Sequence, residues 1–272
     1  MTLLTNINDH SVIYNEFINM KPGDRQLLIL EILHQQGEVS VKELVAQFDI
    51  SAETIRRDLS SLSIAGKIHK THGGGILPQI IGEGPYQQRM RENVSAKRQI
   101  AKTASELINP GETLFIDSGS TTLTFAEELS VIDNLTIITN SVDIAKVMGA
   151  VNSVQVFLIG GQYGSDNRET VGPIAISQIN KFRVTTTVLT VGGIHAEAGL
   201  TDYNVDEAHI AQAMVKNTDK LIVLADSTKM DQIAPFEVTN FEKVDYLVCD
   251  SPVNTILKDA LNEANVDLLI AS

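Results

Sequence analysis

The sequence predicts an α/β protein with two domains: a small N-terminal helical domain that ends in a β-hairpin, and a doubly wound, largely parallel α/β domain. Three observations support this fold class. Three consecutive segments with helical spacing of apolar residues lie between residues 25 and 62. Apolar strand-like runs alternate with helical segments from about residue 97 onward. The length of 272 residues exceeds what one small domain needs.

The chain is acidic as a whole, but its charge is uneven. The formal net charge is −13, which argues against a protein that coats nucleic acid over its whole surface. Residues 1–80 hold 7 Lys and Arg against 9 Asp and Glu, whereas the remaining residues hold 14 against 25. Between Arg56 and His72 there are four Lys and Arg and one acid. Positive charge is therefore concentrated locally, as expected where one element approaches phosphate.

Composition excludes several classes of protein. No apolar run approaches the roughly 20 residues of a membrane helix, and the first ten residues lack the pattern of a signal peptide. The single cysteine, Cys249, excludes an internal disulfide framework. The six histidines show no Cys/His spacing typical of a metal site. We expect a cytoplasmic protein with no membrane partner, no metal and no cofactor.

The first domain is predicted over residues 24–80, after an N-terminal extension over residues 1–23. Its first helix, within RQLLILEILHQQG, is expected to end at Gly37. A second helix begins after Ser40, and Glu43 three residues later completes a capping-box signature. A third helix is expected to be capped by Ser51.

The third helix has an apolar face and a polar face. Ile55, Leu59 and Leu62 form one stripe that must face the other two helices. The adjacent Arg56 and Arg57 therefore lie on the flank and the outer face. Two short helices joined by a tight turn, the second with a polar and basic outer face, form the helix-turn-helix pattern. From this helix alone, a solvated surface helix is an equally good interpretation.

The following segment, GKIHKTHGGGILP, favours DNA binding. Its alternating residues and glycines predict a small hairpin, a basic wing beside the third helix. No Lys-Ser/Thr pair follows the glycines, which excludes a Walker phosphate loop. Arg, Ser and Thr side chains suit base edges or phosphates. The predicted DNA-binding residues are Ser51, Glu53, Thr54, Arg56, Arg57, Ser60, Ser61, Lys67, Lys70 and His72.

Residues 25–76 resemble the DNA-binding domain of the DeoR family of bacterial transcriptional regulators. The matching stretches are VSVKELVAQFDIS, TIRRDL and HGGG, together with Arg25, Leu62 and Gly66. The resemblance implies a winged helix-turn-helix that binds a double-stranded DNA operator. Lys70 stands where the family usually has Arg. It keeps the charge but loses the bidentate fork, so we expect a phosphate contact rather than a base contact there.

A connector is predicted over residues 81–96, where Gly82, Gly84 and Pro85 interrupt the pattern. A second basic patch overlaps the end of this connector. It is compatible with a solvated helix face, with a position near DNA or with a position near a ligand pocket. Its members are Arg89, Arg91, Lys97, Arg98 and Lys102.

The second domain is predicted over residues 97–272, for effector binding and oligomerisation. Its strand candidates are TLFID, LTIIT, VQVFLIG, VLTVGG, KLIVLAD, DYLVCD and VDLLI. Helical segments lie between most of them, which implies a largely parallel sheet. Ligands bind such sheets at the carboxyl ends of the strands.

Polar or glycine-rich loops follow five of these strands. In FIDSGSTT, backbone N–H groups near Gly119, hydroxyl groups and a helix N-terminus form an anion cradle. For any single loop, a helix N-cap is the alternative interpretation. Because five such loops converge, we predict an effector site. Its residues are Asp117, Gly119, Ser120, Thr121, Thr122, Thr139, Asn140, Ser141, Gly160, Gly161, Gly192, Gly193 and Lys229.

The same loops resemble the effector domain of the DeoR family, through DSGSTT, TNS, VGP, VGGIHAEAGLT and LADSTK. The resemblance implies a fold related to ribose-5-phosphate isomerase and CoA transferases. It also implies a phosphorylated sugar or related metabolite as effector, and Glu207 as a further effector-binding residue. The family usually carries a Lys about four residues after this glutamate, where Ala211 stands here. Lys229 is therefore expected to serve as the site cation more alone.

We predict a DNA-binding transcriptional regulator, a repressor of carbohydrate-metabolism genes, and no enzyme. The alternative is a sugar-phosphate isomerase-like enzyme, which needs a carboxylate base beside the substrate. VGGIHAEAG lacks the paired acids of the related isomerases, so we assign no catalytic residue. A stand-alone metabolite-binding protein leaves Arg56, Arg57 and the wing unexplained. Because one helix-turn-helix buries too little surface for specific affinity, we expect a homo-oligomer, a dimer or tetramer.

Overall fold

The computed structural model of the chain describes residues 21–64, 67–71, 73–76 and 84–271. The chain divides into two compact units, residues 1–80 and residues 81–272. Of the predicted features, Gly66, His72 and most of the N-terminal extension, residues 1–20, lie outside the described residues.

The smaller unit packs three helices against a small antiparallel sheet. The helices are α1 (Pro22–Gln36), α2 (Val41–Phe48) and α3 (Ala52–Ile64). The strands are β1 (Glu38–Ser40), β2 (His69–Lys70) and β3 (Gly74–Ile76), in the order β1-β3-β2. Strand β1 was not predicted. The core contains Ile29, Leu33, Val39, Leu44, Phe48, Ile55, Leu59, Leu62 and Ile68.

Local sequence signals account for the ends of these elements. The amide of Gly37, with φ of 79°, donates to the Leu33 carbonyl and ends α1. Ser40 and Glu43 form the predicted capping box at the start of α2. Gly74 allows β3 to approach β1, because a Cβ at this position would lie 1.9 Å from the Val39 carbonyl oxygen. These contacts bring the hairpin, α2 and α3 into one small core.

A buried ion pair joins α1 to α3. The Nε of Arg25 lies 2.5 Å from Oδ2 of Asp58, and the two side chains are 9% and 4% exposed. Gln26 donates from Nε2 to the other carboxylate oxygen of Asp58 at 3.2 Å. Asp58 therefore occupies the inner face of α3 between apolar residues, which is possible because its charge and both its oxygens are satisfied.

The larger unit is built on a parallel sheet with seven strands among the described residues. Its strands are β4 (Thr113–Ile116), β5 (Thr136–Thr139), β6 (Gln155–Leu158), β9 (Val184–Leu189), β12 (Thr218–Ala225), β14 (Tyr246–Cys249) and β15 (Asp267–Ile270). The order across the sheet is β15-β14-β12-β9-β4-β5-β6. Every neighbouring pair in it is parallel.

Helices cover both faces of this sheet, as predicted for a doubly wound fold. One core packs against α5 (Val94–Ser105), α6 (Ser120–Glu128) and α7 (Val142–Met148). The other packs against α8 (Pro173–Ile179), α9 (Val205–Lys216) and α10 (Thr255–Glu263). The predicted fold class is confirmed. No helix within the described ranges is long and apolar enough to cross a membrane.

The strand order reverses direction between β4 and β9. From β4 the chain continues outward to β5 and β6, whereas β9 lies on the other side of β4 and leads to β12, β14 and β15. The loops after β4 and β9 therefore leave the sheet in opposite directions and open a crevice between them. This crevice is where a ligand is expected in an open parallel sheet.

Several elements differ from the sequence prediction. The strand predicted at VLTVGG is shifted, because β9 begins at Val184 and ends at Leu189. Two small antiparallel sheets were not predicted: β7 (Gln162–Gly164) with β8 (Glu169–Val171), and β10 (Gly193–His195) with β11 (Gly199–Asp202) and β13 (Phe236–Thr239). Within the predicted connector, residues 86–89 form a short helix, α4 (Tyr86–Arg89). Tyr86 is 3% exposed in the larger unit.

Candidate DNA-facing helix and effector site

Helix α3 of the smaller unit presents a polar and basic outer face. Ile55, Leu59 and Leu62 are at most 2% exposed and face the core. Arg56 and Arg57 are exposed, and Arg56 lies 3.9 Å from Glu53 in a surface ion pair. The Arg57 guanidinium forms no hydrogen bond or ion pair to the residues that the structure describes. It is available to a base edge or a phosphate.

Hydroxyl groups on this face take part in local hydrogen bonds. Ser51 accepts from the Thr54 amide at 3.2 Å and caps the helix. Ser60 and Ser61 donate to the carbonyls one turn earlier, so their hydroxyls remain available as acceptors. From the wing, Lys70 donates to Ser60 at 2.8 Å. The other described wing cation, Lys67, is exposed.

At the β4–β9 crevice, close packing requires a glycine. Gly119 follows β4 and begins α6, and a Cβ there would lie 2.3 Å from Cγ2 of Thr190 and 2.9 Å from Oγ1 of Thr122. Thr190 follows β9. The absence of a side chain thus lets the N-terminus of α6 lie against the end of β9, where its amide groups favour an anion.

A cavity of about 210 Å³ opens at this point. It joins the first turn of α6 to the residues that follow β12 and to the segment around α4. Three of its residues are cations: Arg89, Lys97 and Lys229. The complete lining is Arg89, Glu92, Asn93, Lys97, Ser120, Thr121, Thr190, Asp226, Thr228 and Lys229.

Two of these cations come from the second basic patch of the sequence. The sequence did not decide whether this patch lies on a solvated surface, near DNA or near a ligand pocket. Lys97 is 5% exposed, and burial lowers its pKa although Asp226 opposes this shift. Arg89 donates from Nη2 to Asn167 at 2.7 Å. Arg91, Arg98 and Lys102 of the same patch are exposed. The sequence suggested that Lys229 would be the main cation of the site, but Arg89 and Lys97 also line the cavity. Ala211 is buried in the core.

A cluster of carboxyl groups, the acid cluster, lies next to the cavity. It contains Asp117, Glu169, Asp202 and Glu207. Burial and then the charge of Glu169 raise the pKa of Glu207 to about 9. The same two causes raise the pKa of Asp117 well above its usual value, and burial raises that of Glu169. The raised pKa values of Asp117, Glu169 and Glu207 favour their protonated forms, because adjacent buried carboxylates cannot all ionise.

Hydrogen bonds connect the acid cluster to the cavity. Asn167 donates to Glu207 at 2.8 Å and to Glu169 at 3.3 Å, and it accepts from Arg89. Ser118 donates from its hydroxyl to Glu169. The Ser118 amide also donates to Asn140 at 3.1 Å. The carboxyl groups and the cations are therefore two ends of one polar site.

Asp226 is the second acidic residue of the cavity lining, besides Glu92. Burial alone would raise its pKa, but hydrogen bonds from Thr228 and Asn93 hold the pKa below its usual value. Asn93 adopts a left-handed conformation, with φ of 52°, in the turn between α4 and α5. Its side chain donates to Asp226 at 3.3 Å, which holds this turn against the end of β12.

Not every predicted effector residue lines the cavity. Ser120, Thr121 and Lys229 do so, and Asp117, Asn140 and Glu207 belong to the adjoining hydrogen-bond network and acid cluster. Others have structural contacts in place of a position in the lining. These are Gly119 before α6, Thr122 in the first turn of α6, Thr139 at the end of β5, Ser141 as the cap of α7, Gly160 and Gly161 against α8, and Gly192 and Gly193 against Tyr203 and Gln232.

The sequence assigned no role to Arg89 and Lys97, and it gave no prediction of Asn167 or Glu169 as site residues. The basic patch was a signal for the two cations, but it could not separate buried from exposed members. Glu169 begins β8 and Asn167 lies two residues before it. This short strand has no signal in the sequence. Among the described residues, no group of three His, Cys, Asp or Glu is arranged to hold a metal ion.

Comparison with known proteins decides the family. Residues 92–251 match the DeoR C terminal sensor domain, and residues 25–80 match the DeoR-like helix-turn-helix domain. The chain belongs to the DeoR family.

Two curated relatives support this across nearly the whole chain. The HTH-type transcriptional regulator GolR of Listeria innocua is 32% identical over 253 residues, which cover 93% of this chain and 100% of GolR. The glycerol-3-phosphate regulon repressor of Escherichia coli (strain K12) is 30% identical over 249 residues, which cover 92% of this chain and 99% of that repressor.

Membership in the DeoR family confirms the predicted regulator and leaves the isomerase-like alternative without support. The helix-turn-helix domain binds DNA, and the sensor domain binds a small-molecule effector. A solved structure of ribose 5-phosphate isomerase A from Methanocaldococcus jannaschii is 15% identical, with a TM-score of 0.38. The match covers 51% of this chain and 55% of the isomerase.

Proposed function

We propose that this DeoR-family protein represses carbohydrate-metabolism genes and that a small phosphorylated sugar controls its affinity for operator DNA. The observation that carries the proposal is the convergence of Arg89, Lys97 and Lys229 with the N-terminus of α6 around one cavity. Cations and free helix amides together favour a phosphate group. The cavity volume of about 210 Å³ is below the roughly 300–1,000 Å³ typical of drug-sized ligands, which favours a small metabolite.

The acid cluster suits the rest of such a ligand. Protonated carboxyl groups donate hydrogen bonds and ionised ones accept them, so Asp117, Glu169 and Glu207 can bind sugar hydroxyl groups in either role. A phosphate at the cationic end and hydroxyl groups at the acidic end define a phosphorylated sugar or polyol. The name of the Escherichia coli relative, a glycerol-3-phosphate regulon repressor, contains that of a compound of this class.

On the DNA side, α3 is the element that enters the major groove. Thr54, Arg56 and Arg57 contact the operator, and Lys67 and Lys70 of the wing contact phosphates. Ser51, Glu53, Ser60 and Ser61 complete the predicted surface. One such unit covers a single half-site, so the protein acts as a homo-oligomer on paired half-sites.

The proposal is tested with the purified full-length chain. Sugar phosphates, their unphosphorylated parent sugars and inorganic phosphate are compared by thermal shift, and duplex affinity is measured on DNA enriched from a random library. We expect a sugar phosphate to raise the melting temperature and to change the duplex Kd, whereas the parent sugar does neither. Turnover of a sugar phosphate, or no preference for the enriched duplex over random DNA, would contradict the proposal.

Substitution of Lys229 separates the two activities. Lys229→Ala removes a cavity cation from the larger unit, so the variant should retain duplex affinity but lose most of its thermal response to the sugar phosphate. Lys258→Ala, on the exposed face of α10, is the matched control and should behave as wild type. A normal ligand response in Lys229→Ala would show that the phosphate lies elsewhere.

A further inference from the structure

One wall of the cavity is formed by the segment that continues the chain from the DNA-binding unit. Residues 84–97 contain α4, the following turn and the start of α5. This segment contributes Arg89, Glu92, Asn93 and Lys97 to the lining. A ligand in the cavity therefore contacts the part of the sensor unit that lies nearest in sequence to the helix-turn-helix domain.

Lys97 holds this segment together. From α5, its ammonium group donates to the backbone carbonyls of Arg89 and Glu92, the latter at 2.9 Å. These carbonyls lie at the end of α4 and in the turn that follows it. An ammonium group has three N–H donors, and the third has no acceptor among the residues that the structure describes. Since Lys97 is buried and lines the cavity, that donor suits an anionic ligand.

Besides Lys97, the segment is attached to the larger unit through Arg89, which donates to Asn167 at 2.7 Å, and through Met90, which packs against the core. Tyr86 is buried, with the Arg89 guanidinium 5.6 Å above its ring. Asn93 donates to Asp226 at 3.3 Å, which is long for a hydrogen bond. Gln88 and Glu92, by contrast, bond to each other on the exposed surface. An anion bound by Lys97 and by the amides of α6 would add a charge-assisted link between this segment and the sheet.

We propose that Lys97 is the positioning residue through which an anion in the cavity orders residues 84–97, and that this ordering changes operator affinity. The inference rests on the proposed function, since it assigns the route by which that effector acts on the DNA-binding unit. Energetically, the ligand shifts the equilibrium only because it binds the ordered segment better than the loose one.

Hydrogen exchange gives a readout that does not depend on DNA. The amides of residues 88–92 each donate to a backbone carbonyl within the segment, so their exchange reports its opening. With inorganic phosphate as the probe at a concentration that saturates the thermal shift, wild type should gain protection over residues 86–97. Lys97→Met, which keeps the length of the side chain but not its charge, should gain none at its own saturating concentration.

The coupling to DNA is measured with the sugar phosphate that gives the largest wild-type thermal shift. Lys97→Met should bind it about tenfold or more weakly, as expected for loss of one charge-assisted hydrogen bond. At saturation its duplex Kd should remain within about twofold of the ligand-free value. Lys97→Arg, which restores charge and donors, should recover part of the wild-type change. Arg98→Met, an exposed neighbour on the same helix, should match wild type.

The outcomes separate the inference from the proposed function. If Lys97→Met gained as much protection as wild type and changed its duplex Kd as much as wild type does, the inference would be overturned and the proposed function would stay intact. Protection of residues 86–97 by phosphate in wild type, lost in Lys97→Met, would support ordering through Lys97. If no sugar phosphate altered duplex affinity under the same conditions, the proposed function would fail instead.

Discussion

Replacing Glu207 with glutamine should make the larger unit less sensitive to pH. Burial and Glu169 raise the pKa of Glu207 to about 9, against about 4.3 for an unperturbed glutamate. Between these values the folded protein keeps a proton that the unfolded chain has released. Stability therefore falls as pH rises, by up to about 1.4 kcal/mol per pH unit for one such group. Between pH 6 and pH 8 this amounts to at most about 3 kcal/mol of the free energy of unfolding.

The Glu207→Gln variant isolates this contribution. Glutamine resembles the protonated acid and its Oε1 can still accept from Asn167, so the hydrogen bond observed at 2.8 Å is retained. Asp117 and Glu169 also have raised pKa values, so the variant should keep part of the pH dependence. Wild type should lose more stability from pH 6 to pH 8 than the variant does, because only wild type has the proton on Glu207 to release on unfolding. At pH 8 the variant should be the more stable protein.

Urea denaturation followed by circular dichroism at pH 6, 7 and 8 measures the difference. The signal to follow is the transition that accounts for most of the ellipticity, because the larger unit contains most of the regular structure. Glu127→Gln, at an exposed position on α6, is the control and should leave the pH dependence unchanged. Equal slopes for wild type and Glu207→Gln, or a wild-type stability that rises from pH 6 to pH 8, would refute the assignment of a buried proton to this cluster.

Three further substitutions test other parts of the molecule. Asp58→Ala removes the buried carboxylate that pairs with the Arg25 guanidinium, at a cost of about 3–5 kcal/mol; the smaller unit should unfold, abolishing duplex binding while the thermal response to ligand persists. Gly119→Ala places a methyl group 2.3 Å from Thr190, and this overpacking should cost about 1–3 kcal/mol and weaken ligand binding measured by thermal shift. Arg57→Ala should weaken binding to the enriched duplex by about 1–3 kcal/mol if the guanidinium contacts a base, and an unchanged Kd across a salt series would remove Arg57 from the interface. Its ligand response should remain that of wild type.

Much of the fold was predictable because its signals are local. The capping box at Ser40 and Glu43, the end of α1 at Gly37 and the stripe of Ile55, Leu59 and Leu62 each depend on residues a few positions apart. The alternation of apolar runs and helices predicted the parallel sheet for the same reason. Strands β7, β8, β10, β11 and β13 were missed, since they lack the continuous apolar run that marks the equally short strands of the parallel sheet.

The site was only partly predictable. DSGSTT was correctly predicted to be a strand end followed by a helix N-terminus, and the anion cradle at this point stays a prediction. Glycines after other strands carried the same signal, yet Gly160, Gly161, Gly192 and Gly193 have the different role of allowing close packing against α8, Tyr203 and Gln232. A glycine at a strand end indicates that either a ligand or another part of the chain approaches the backbone closely. The sequence does not distinguish between the two.

The sequence alone determined the two domains, the helix-turn-helix with its outward arginines, the parallel sheet and the loop that begins α6. Only the tertiary structure decided that Arg89 and Lys97 enter the cavity while Arg91 and Arg98 remain exposed. It also brought together Asp117, Glu169, Asp202 and Glu207, and paired Arg25 with Asp58 across 33 positions. The physical reason is that helical and strand periodicities relate residues within a few positions of one another. Which side chains are buried, and which charged groups lie close together, depends on which distant segments become neighbours through the order of the strands in the sheet.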